Sequence, residues 1–218
     1  MRRVSHLLLD LDGTLVDTFP GVRAGLLHAL DTLGHPHPDE AFLAGIAGPP
    51  MEETLAAAGV PAEQVPAGLK AYLDYAAGGG WLEASPFPGV AELLAGWHEE
   101  GLVLATATSK GEHFARITLE HFGLLDHIDF LGAAQEDGPR RTKTAVLEHT
   151  LANLGLEGPN PPALMIGDRI HDFDGARAFG IDSVAVAWGY GTDAERAHAN
   201  AVAADPADLE RIVHDHTR

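Results

Sequence analysis

The sequence predicts an α/β fold: a Rossmann-like parallel sheet with helices on both faces, interrupted by an inserted all-helical cap domain. Three observations carry that prediction. From about residue 86 onward, short and continuously apolar runs of strand length alternate with amphipathic helical patterns, which is how a sheet buried on both faces reads. A further apolar run opens the chain, yet about 90 residues separate it from the next one, far more than a crossover helix requires. Those intervening residues show helical periodicity and no strand-like alternation. A length of 218 residues, between one domain and two, suits a single core carrying an insertion.

Val4 to Leu9 is the first predicted strand. Its setting, Met1-Arg2-Arg3 followed by Leu7-Leu8-Leu9, imitates the start of a secretory leader, but Asp10 and Asp12 interrupt the apolar stretch. Residues 1–17 and 85–218 are expected to form a discontinuous core, and residues 18–84 the helical cap. In the cap, Val22, Leu26, Leu30 and Leu33 define one helix ending at Gly34; Leu69, Tyr72, Leu73 and Ala76 define another ending at Gly78-Gly79-Gly80. Thr18-Phe19-Pro20 and Ser85-Pro86-Phe87-Pro88-Gly89 mark the way in and out. In the core, Val90, Leu93, Leu94 and Trp97 keep helical spacing, and strands are expected at Leu102 to Ala107, Ile128 to Leu131, Ala163 to Ile166 and Asp182 to Ala187. A helix carrying Val146, Leu147, Thr150, Leu151 and Leu154 stops before Gly155. The Ala-rich stretch 194–207 reads as helix, and Asp205-Pro206 as the N-cap and first residue of a final one.

Composition removes several functions. With 14 Lys and Arg against 32 Asp and Glu, the net charge of −18 opposes binding to nucleic acid polymers or anionic membranes. The absence of cysteine excludes a disulfide framework, a zinc ribbon, an iron–sulfur site and a thiol nucleophile, and is consistent with a cytoplasmic location. No apolar run approaches the roughly 18–20 residues of a membrane helix. The 13 histidines include no metal-binding spacing, and His35-Pro36-His37 and His214-Asp215-His216 are assigned no role.

The chemistry gathers at strand ends. In Asp10-Leu11-Asp12-Gly13-Thr14, residues i and i+2 of a strand end point the same way, so two carboxylates share one side of it. Such a pair needs a cation or a shared proton, and the conflict separates an ionised nucleophile from a protonatable acid/base. Gly167-Asp168-Arg169-Ile170-His171-Asp172 also follows a strand. A strand-end Asp168 brought beside Asp10 would make the oxygen environment that Mg²⁺ prefers, and Asp172 reads equally as a helix N-terminal acid or as part of a metal shell. Thr106-Ala107-Thr108-Ser109-Lys110 offers hydroxyls and N–H groups to phosphoryl oxygens where a helix begins, although such residues are often only caps. Lys143, at the start of its helix, is an ordinary surface lysine taken alone and a neutraliser of phosphoryl charge taken with the rest. Open α/β sheets place their sites at these carboxyl ends.

Together and in order, Leu7 through Thr18 around Asp10 and Asp12, Thr108-Ser109-Lys110, Lys143, and Gly167-Asp168-Arg169 through Asp172 resemble the four motifs of the haloacid dehalogenase superfamily. The likeness spans essentially the whole chain, including the helical insertion and the Pro86-Phe87-Pro88-Gly89-Val90 return, and is nearest to phosphoglycolate-phosphatase-like members. It implies a Mg²⁺-dependent hydrolase of a small phosphomonoester (a nucleotide, sugar phosphate or phosphoglycolate-like compound). It implies Asp10 as nucleophile forming an aspartyl-phosphate, and Asp12 as the acid that protonates the leaving oxygen and then activates water. Thr108, Ser109 and Lys143 would bind phosphate, Asp10, Asp12 (through its carbonyl) and Asp168 the metal, and Asp172 its outer shell. Resembling dehalogenases lack the second aspartate, so Asp12 argues against carbon–halogen hydrolysis. Ser109-Lys110 departs from the commoner Asn-Lys of the second motif.

The cap would set substrate choice, its Gly45 to Met51 turn facing substrate, and its only cations are Arg23 and Lys70. That scarcity favours a leaving group that is not strongly anionic, unless Arg140, Arg141 or Arg169 contributes from the core. The protein is expected as a monomer or homodimer. Two rival functions remain: a sugar phosphomutase of the same superfamily, and a non-catalytic phosphate-responsive binding protein.

Overall fold

In the computed structural model, which describes residues 3–135 and 138–218, the chain divides into two compact units. The first contains the residues up to Val16 together with Pro86–Arg218, and the second spans Asp17–Ser85. In chain order the elements up to the close of the second unit are β1 (His6–Leu9), β2 (Val16–Asp17), α1 (Phe19–Leu33), α2 (Glu40–Leu43), α3 (Met51–Ala57), α4 (Val65–Ala77) and β3 (Ser85–Pro86). There follow α5 (Val90–Glu99), β4 (Val103–Thr106), β5 (Thr108–Gly111), α6 (Glu112–His121), β6 (Ala133–Ala134), α7 (Lys143–Asn153) and β7 (Ala163–Gly167). The last elements are α8 (Ile170–Ala178), β8 (Asp182–Val186), α9 (Asp193–Arg196), β9 (Ala201–Ala203) and α10 (Pro206–Thr217).

The first unit is built on a five-stranded sheet in the order β4-β1-β7-β8-β9, with every pairing parallel. The inner strands β1 and β7 carry leucine, methionine and isoleucine on both faces because helices cover both faces; Leu7, Leu8, Leu9, Leu164, Met165 and Ile166 are all fully buried. One face packs Leu8, Ala105 and Met165 against Val146, Leu147 and Ala176 of α7 and α8. The register levels the strand ends that matter, since Leu9 lies opposite both Thr106 and Ile166. Asp10, the segment after Thr106, and Gly167-Asp168 consequently emerge side by side at the carboxyl edge of the sheet.

The sheet departs from expectation at two places. Ile128 to Leu131 is not a strand: Phe130 alone bridges Ala105. The Asp129 carboxylate takes the Leu104 N–H at 2.8 Å, a side-chain acceptor competing with the ladder, and pairing resumes beyond it between β5 and β6. The stretch 194–207 is not one helix either. After the single turn of α9 the chain becomes β9, an edge strand alongside β8, while the Asn200 side chain accepts the Ser183 N–H at 2.9 Å. An open sheet edge supplies more backbone partners there than alanine's helix preference can offset. Asp205 does cap α10, accepting from Asp208 N–H at 2.9 Å with Pro206 following.

The second unit is helical. Leu26, Leu30, Leu43, Ile46, Met51 and Leu55 make its core, so the Gly45 to Met51 turn is anchored inward by Ile46, Ala47 and Met51. Gly34 ends α1 in the left-handed conformation with φ 73°. In α4 the buried side is Gly68 and Ala71, whereas Leu73 is 42% exposed. A Cβ at Gly68 would stand 3.0 Å from Leu33 and 3.2 Å from Leu55, so a small residue there lets large neighbours fill the contact. Among the described residues no helix is long and apolar enough to cross a membrane.

Candidate active site

The site begins where β1 ends. Asp10 N–H still donates to the Ile166 carbonyl at 2.9 Å, continuing the ladder for one more residue. The chain then turns through Gly13, φ 80°, while the N–H groups of Thr14, Leu15 and Val16 converge on the Leu11 carbonyl. Gly13 is required twice over: its conformation disfavours a side chain, and a Cβ there would collide with the Asp168 carboxylate and stand 2.8 Å from the Tyr190 ring.

Asp10, Asp168 and Asp172 are all buried and each can offer an oxygen lying within 4.8 Å of the others. Lys143, the first residue of α7, reaches into this cluster. Its ammonium is 2.9 Å from Asp10 Oδ1, 2.7 Å from Asp172 Oδ1, and donates to the Ala107 carbonyl at 2.6 Å. Thr142 holds that helix start by accepting the Ala145 N–H at 3.2 Å. Burial alone would lower the lysine's pKa, but Asp10 and Asp172 together outweigh it and hold the ammonium charged.

The carboxylates pull the other way. Burial, reinforced by Asp172 and Asp12 and only partly opposed by Lys143, pushes Asp10 up to about 6. Burial also pushes Asp168 up to about 8, aided by Asp172 and Asp10. Asp168 Oδ2 accepts the Tyr190 N–H at 2.7 Å, while the buried Oδ1 has no hydrogen-bond partner. Three carboxylates face one ammonium, with an orphaned oxygen among them. That is a charge deficit of the size and hardness that a divalent cation would satisfy, so the donor set fits one.

Asp12 lies outside this cluster. Its carboxylate is gripped by Lys110 Nζ at 3.0 and 3.2 Å, so the two aspartates of the first motif have different lysines. Thr108 is buried, its hydroxyl accepting the Lys110 N–H at 3.1 Å, and Ser109 is exposed. Both sit on β5, with α6 beginning only at Glu112, so the helix starts further along than the sequence reading places it. Asp172 is the third residue of α8, and its Oδ2 accepts the Asp168 and Arg169 N–H groups at 3.1 and 3.0 Å. The same carboxylate thus caps the helix and faces Lys143.

Sequence reasoning missed the loop Trp188-Gly189-Tyr190-Gly191 after β8. Trp188 Nε1–H donates to the Thr14 carbonyl at 3.1 Å, tying this loop to the first motif while Tyr190 ties it to Asp168. A Cβ on Gly189 would meet Asp168 and the Gly13 carbonyl, and one on Gly191 would collide with the Asp168 carbonyl. Glu195 closes the loop, accepting from Thr192 N–H at 2.9 Å and Arg169 Nε at 2.9 Å; these bonds outweigh burial and hold its carboxyl below the usual range. The available signal was two glycines one residue apart immediately after a buried strand, the same punctuation that marks Gly13 and Gly167. Arg169 is thereby paired with Glu195, and Arg140 with Glu112 at 3.3 Å.

Known proteins are similar to this chain in sequence and fold. The tyrosine-protein kinase PtkA of Mycobacterium tuberculosis is 46% identical over 187 residues, which is 85% of this chain and 62% of that protein, so this chain spans less than two thirds of its length. A 5'-nucleotidase of Pseudomonas aeruginosa is 34% identical over 217 residues, covering 98% of this chain and 97% of the relative. A phosphoglycolate phosphatase of Mesorhizobium japonicum is 33% identical over 190 residues, 84% of this chain and 83% of the relative. A solved haloacid dehalogenase-like hydrolase from Streptococcus pneumoniae superposes with a TM-score of 0.90 at 27% identity, over 97% of this chain and 99% of that one. The family model described as haloacid dehalogenase-like hydrolase matches residues 7–186, a span holding every strand-end residue of the site from Asp10 to Asp172, and the chain belongs to that family.

Proposed function

We propose that the protein is a Mg²⁺-dependent phosphatase of small phosphomonoesters that works through an aspartyl-phosphate on Asp10. The observation that carries the reading is the division of the first motif: Asp10 in the buried cluster with Lys143, Asp12 outside it on Lys110. Two carboxylates at i and i+2 in different surroundings suit different tasks. The relatives named phosphoglycolate phosphatase and 5'-nucleotidase support the same class of substrate.

Asp10 and Asp168, with the Asp12 carbonyl that family likeness adds, would hold Mg²⁺, with Asp172 in its outer shell; when bound, the ion stabilises the ionised carboxylates and the negative charge of the phosphoryl group. A carboxylate oxygen of Asp10 forms the bond to phosphorus as the ester P–O bond breaks. Asp12 gives its proton to the departing alkoxide, then takes one from the water that attacks the acyl phosphate. Lys143, charged and fixed by three oxygens, balances Asp10 and stands where phosphoryl charge arrives. Thr108 and Ser109 would donate hydroxyls to the phosphoryl oxygens. The second unit, inserted directly after the first motif, would act as the cap, excluding water and choosing the leaving group.

Phosphate release from a panel of nucleotides, sugar phosphates and phosphoglycolate, with and without Mg²⁺, tests this directly. The expected result is metal-dependent release that falls by about 10³-fold or more in Asp10→Asn; equal turnover in that variant would remove Asp10 from the nucleophile's role. The kinase-named relative favours a second acceptor, a tyrosine hydroxyl in place of water. Labelled phosphate passing from ATP to a tyrosine peptide, with no free phosphate formed, would select that reading.

A further inference from the structure

The second motif lies on a strand whose pairing is interrupted. β5 meets β6 at Thr108 opposite Ala133 and again at Gly111 opposite Ala134, so three steps along β5 match one along β6 and the register shifts between them. Ser109 and Lys110 are the residues left over, and they bulge from the ladder. Both ends of the bulge are held. Thr108 N–H donates to the Gly132 carbonyl at 3.1 Å, and the Thr108 hydroxyl accepts the Lys110 N–H at 3.1 Å. Beyond Gly111, Arg140 joins the first residue of α6 to β6. Its Nε donates to the Ala133 carbonyl at 2.8 Å, and its Nη2 is 3.3 Å from Glu112 Oε2.

A bulge re-aims a side chain, and this one aims Lys110. Its Nζ lies 3.0 Å from Asp12 Oδ1 and 3.2 Å from Oδ2. An ammonium within reach of both oxygens sets the direction in which the carboxyl group points. Lys143 is committed elsewhere, to Asp10, Asp172 and the Ala107 carbonyl. The Lys110 and Asp12 side chains are 17% and 24% exposed, so water screens their attraction and blunts its contribution to stability. The effect of the pair belongs to orientation, because a reacting group misplaced by about 1 Å can lose about 10²-fold in rate.

We propose that Lys110 is a positioning residue that holds Asp12 toward the leaving oxygen, and that the β5 bulge is the device that aims it. When Asp12 carries its proton on Oδ2, the ammonium keeps Oδ1, the nearer of the two oxygens. The Oδ2–H bond breaks as the ester P–O bond does, and the proton goes to the departing alkoxide. Asp12, still held by Lys110, then takes a proton from the water whose oxygen attacks phosphorus. The bond from phosphorus to Asp10 breaks, phosphate leaves, and both carboxyl groups return to their starting states. The proposal deepens the phosphatase reading and rests on it, with Asp12 as the acid and base.

Leaving groups of different basicity separate orientation of the acid from every other role of Lys110. The full chain and its variants are assayed with Mg²⁺ on adenosine 5'-monophosphate, glucose 6-phosphate and 2-phosphoglycolate, which leave as alkoxides, and on p-nitrophenyl phosphate, which does not need an acid. Lys110→Met should lower kcat on the alkyl phosphates by about 10–10²-fold with KM within about two-fold, and lower it by about three-fold or less on p-nitrophenyl phosphate. Retained p-nitrophenyl phosphate turnover also shows that the variant folds. Lys110→Arg, whose guanidinium can still hold a carboxylate, should recover to within about five-fold of the native chain. Added to Asp12→Asn, Lys110→Met should cost no more than about two-fold further, because the residue it orients is already gone. Equal losses on both kinds of leaving group, a loss carried by KM, or losses that multiply in the double variant would each overturn the proposal and leave the phosphatase reading standing. Release of phosphate from none of the four compounds by the native chain would overturn both.

Discussion

Asp10 and Asp12 are two residues apart, have the same side chain and face different partners. Lys143 is fixed by Asp10, Asp172 and the Ala107 carbonyl, so its charge belongs to the buried cluster. Lys110 grips both oxygens of Asp12 and keeps that carboxylate out of the cluster. If Asp12 is the acid, its value depends on how badly the leaving oxygen needs a proton. Asp12→Asn should lower kcat/KM for alkyl phosphates by about 10²–10⁴-fold, yet lower it by roughly ten-fold or less for p-nitrophenyl phosphate, whose phenolate departs without help. Equal losses on both substrates would assign Asp12 to phosphate or metal binding instead. That two carboxylates meet at the end of β1 was legible in their spacing, whereas Lys110 as the partner of Asp12 was not, because that contact joins residues 98 positions apart.

At the scale of elements, the loop after β8 braces two motifs that the sequence keeps far apart. Trp188 holds the Thr14 carbonyl, Tyr190 holds Asp168 Oδ2, and the glycines on either side of Tyr190 permit the approach. Gly191→Ala forces a Cβ into the Asp168 carbonyl, a backbone atom that cannot swing aside. Overpacking of this kind costs about 1–3 kcal/mol, a fall in Tm of roughly 2–4 °C for each kcal/mol in a protein of this size. Because the displaced residue is Asp168, the Mg²⁺-induced rise in Tm should shrink as well, which differential scanning calorimetry reads independently of turnover. A variant that loses stability but keeps the full Mg²⁺ response would confine the loop to a packing role. The pattern at Asp129 and Ala201 carries the same lesson at this scale. Four apolar-leaning residues did not make a strand where a side chain took the backbone donor, and alanines made one where a sheet edge was open.

For the whole molecule, buried carboxylates make metal-free stability depend on pH. The folded-state pKa of Asp168 is about 8 and that of Asp10 about 6, against about 3.9 for an unfolded aspartate. The folded chain thus binds more protons than the unfolded chain across that interval. Stability from these groups is fully present below the unfolded value and is lost as pH rises through the folded ones. His6, whose burial lowers its pKa, works with the opposite sign. The metal-free protein should therefore show a Tm that declines between about pH 5 and pH 8, with Mg²⁺ restoring it most at the alkaline end. Asp168→Asn should flatten the decline and abolish most of the Mg²⁺ response. A flat native profile in the presence of a chelator would show that the cluster is not protonated on folding.

Most of the architecture followed from local pattern. Apolar runs of strand length, amphipathic spacing and glycine or proline punctuation are consequences of backbone geometry and burial, so β1, β4, β7 and β8 and the candidate residues at their ends could be read in order along the chain. Short-range chemistry set these choices, and the sequence states it. What depended on the fold was who meets whom: Lys143 against Asp172, Lys110 against Asp12, and Trp188 against Thr14. Those partnerships, and the exchange of strand character between Ile128 to Leu131 and Ala201 to Ala203, rest on long-range packing and competition for backbone hydrogen bonds. No local propensity encodes them, because each is decided by a neighbour that only the closed sheet or the packed helices bring near.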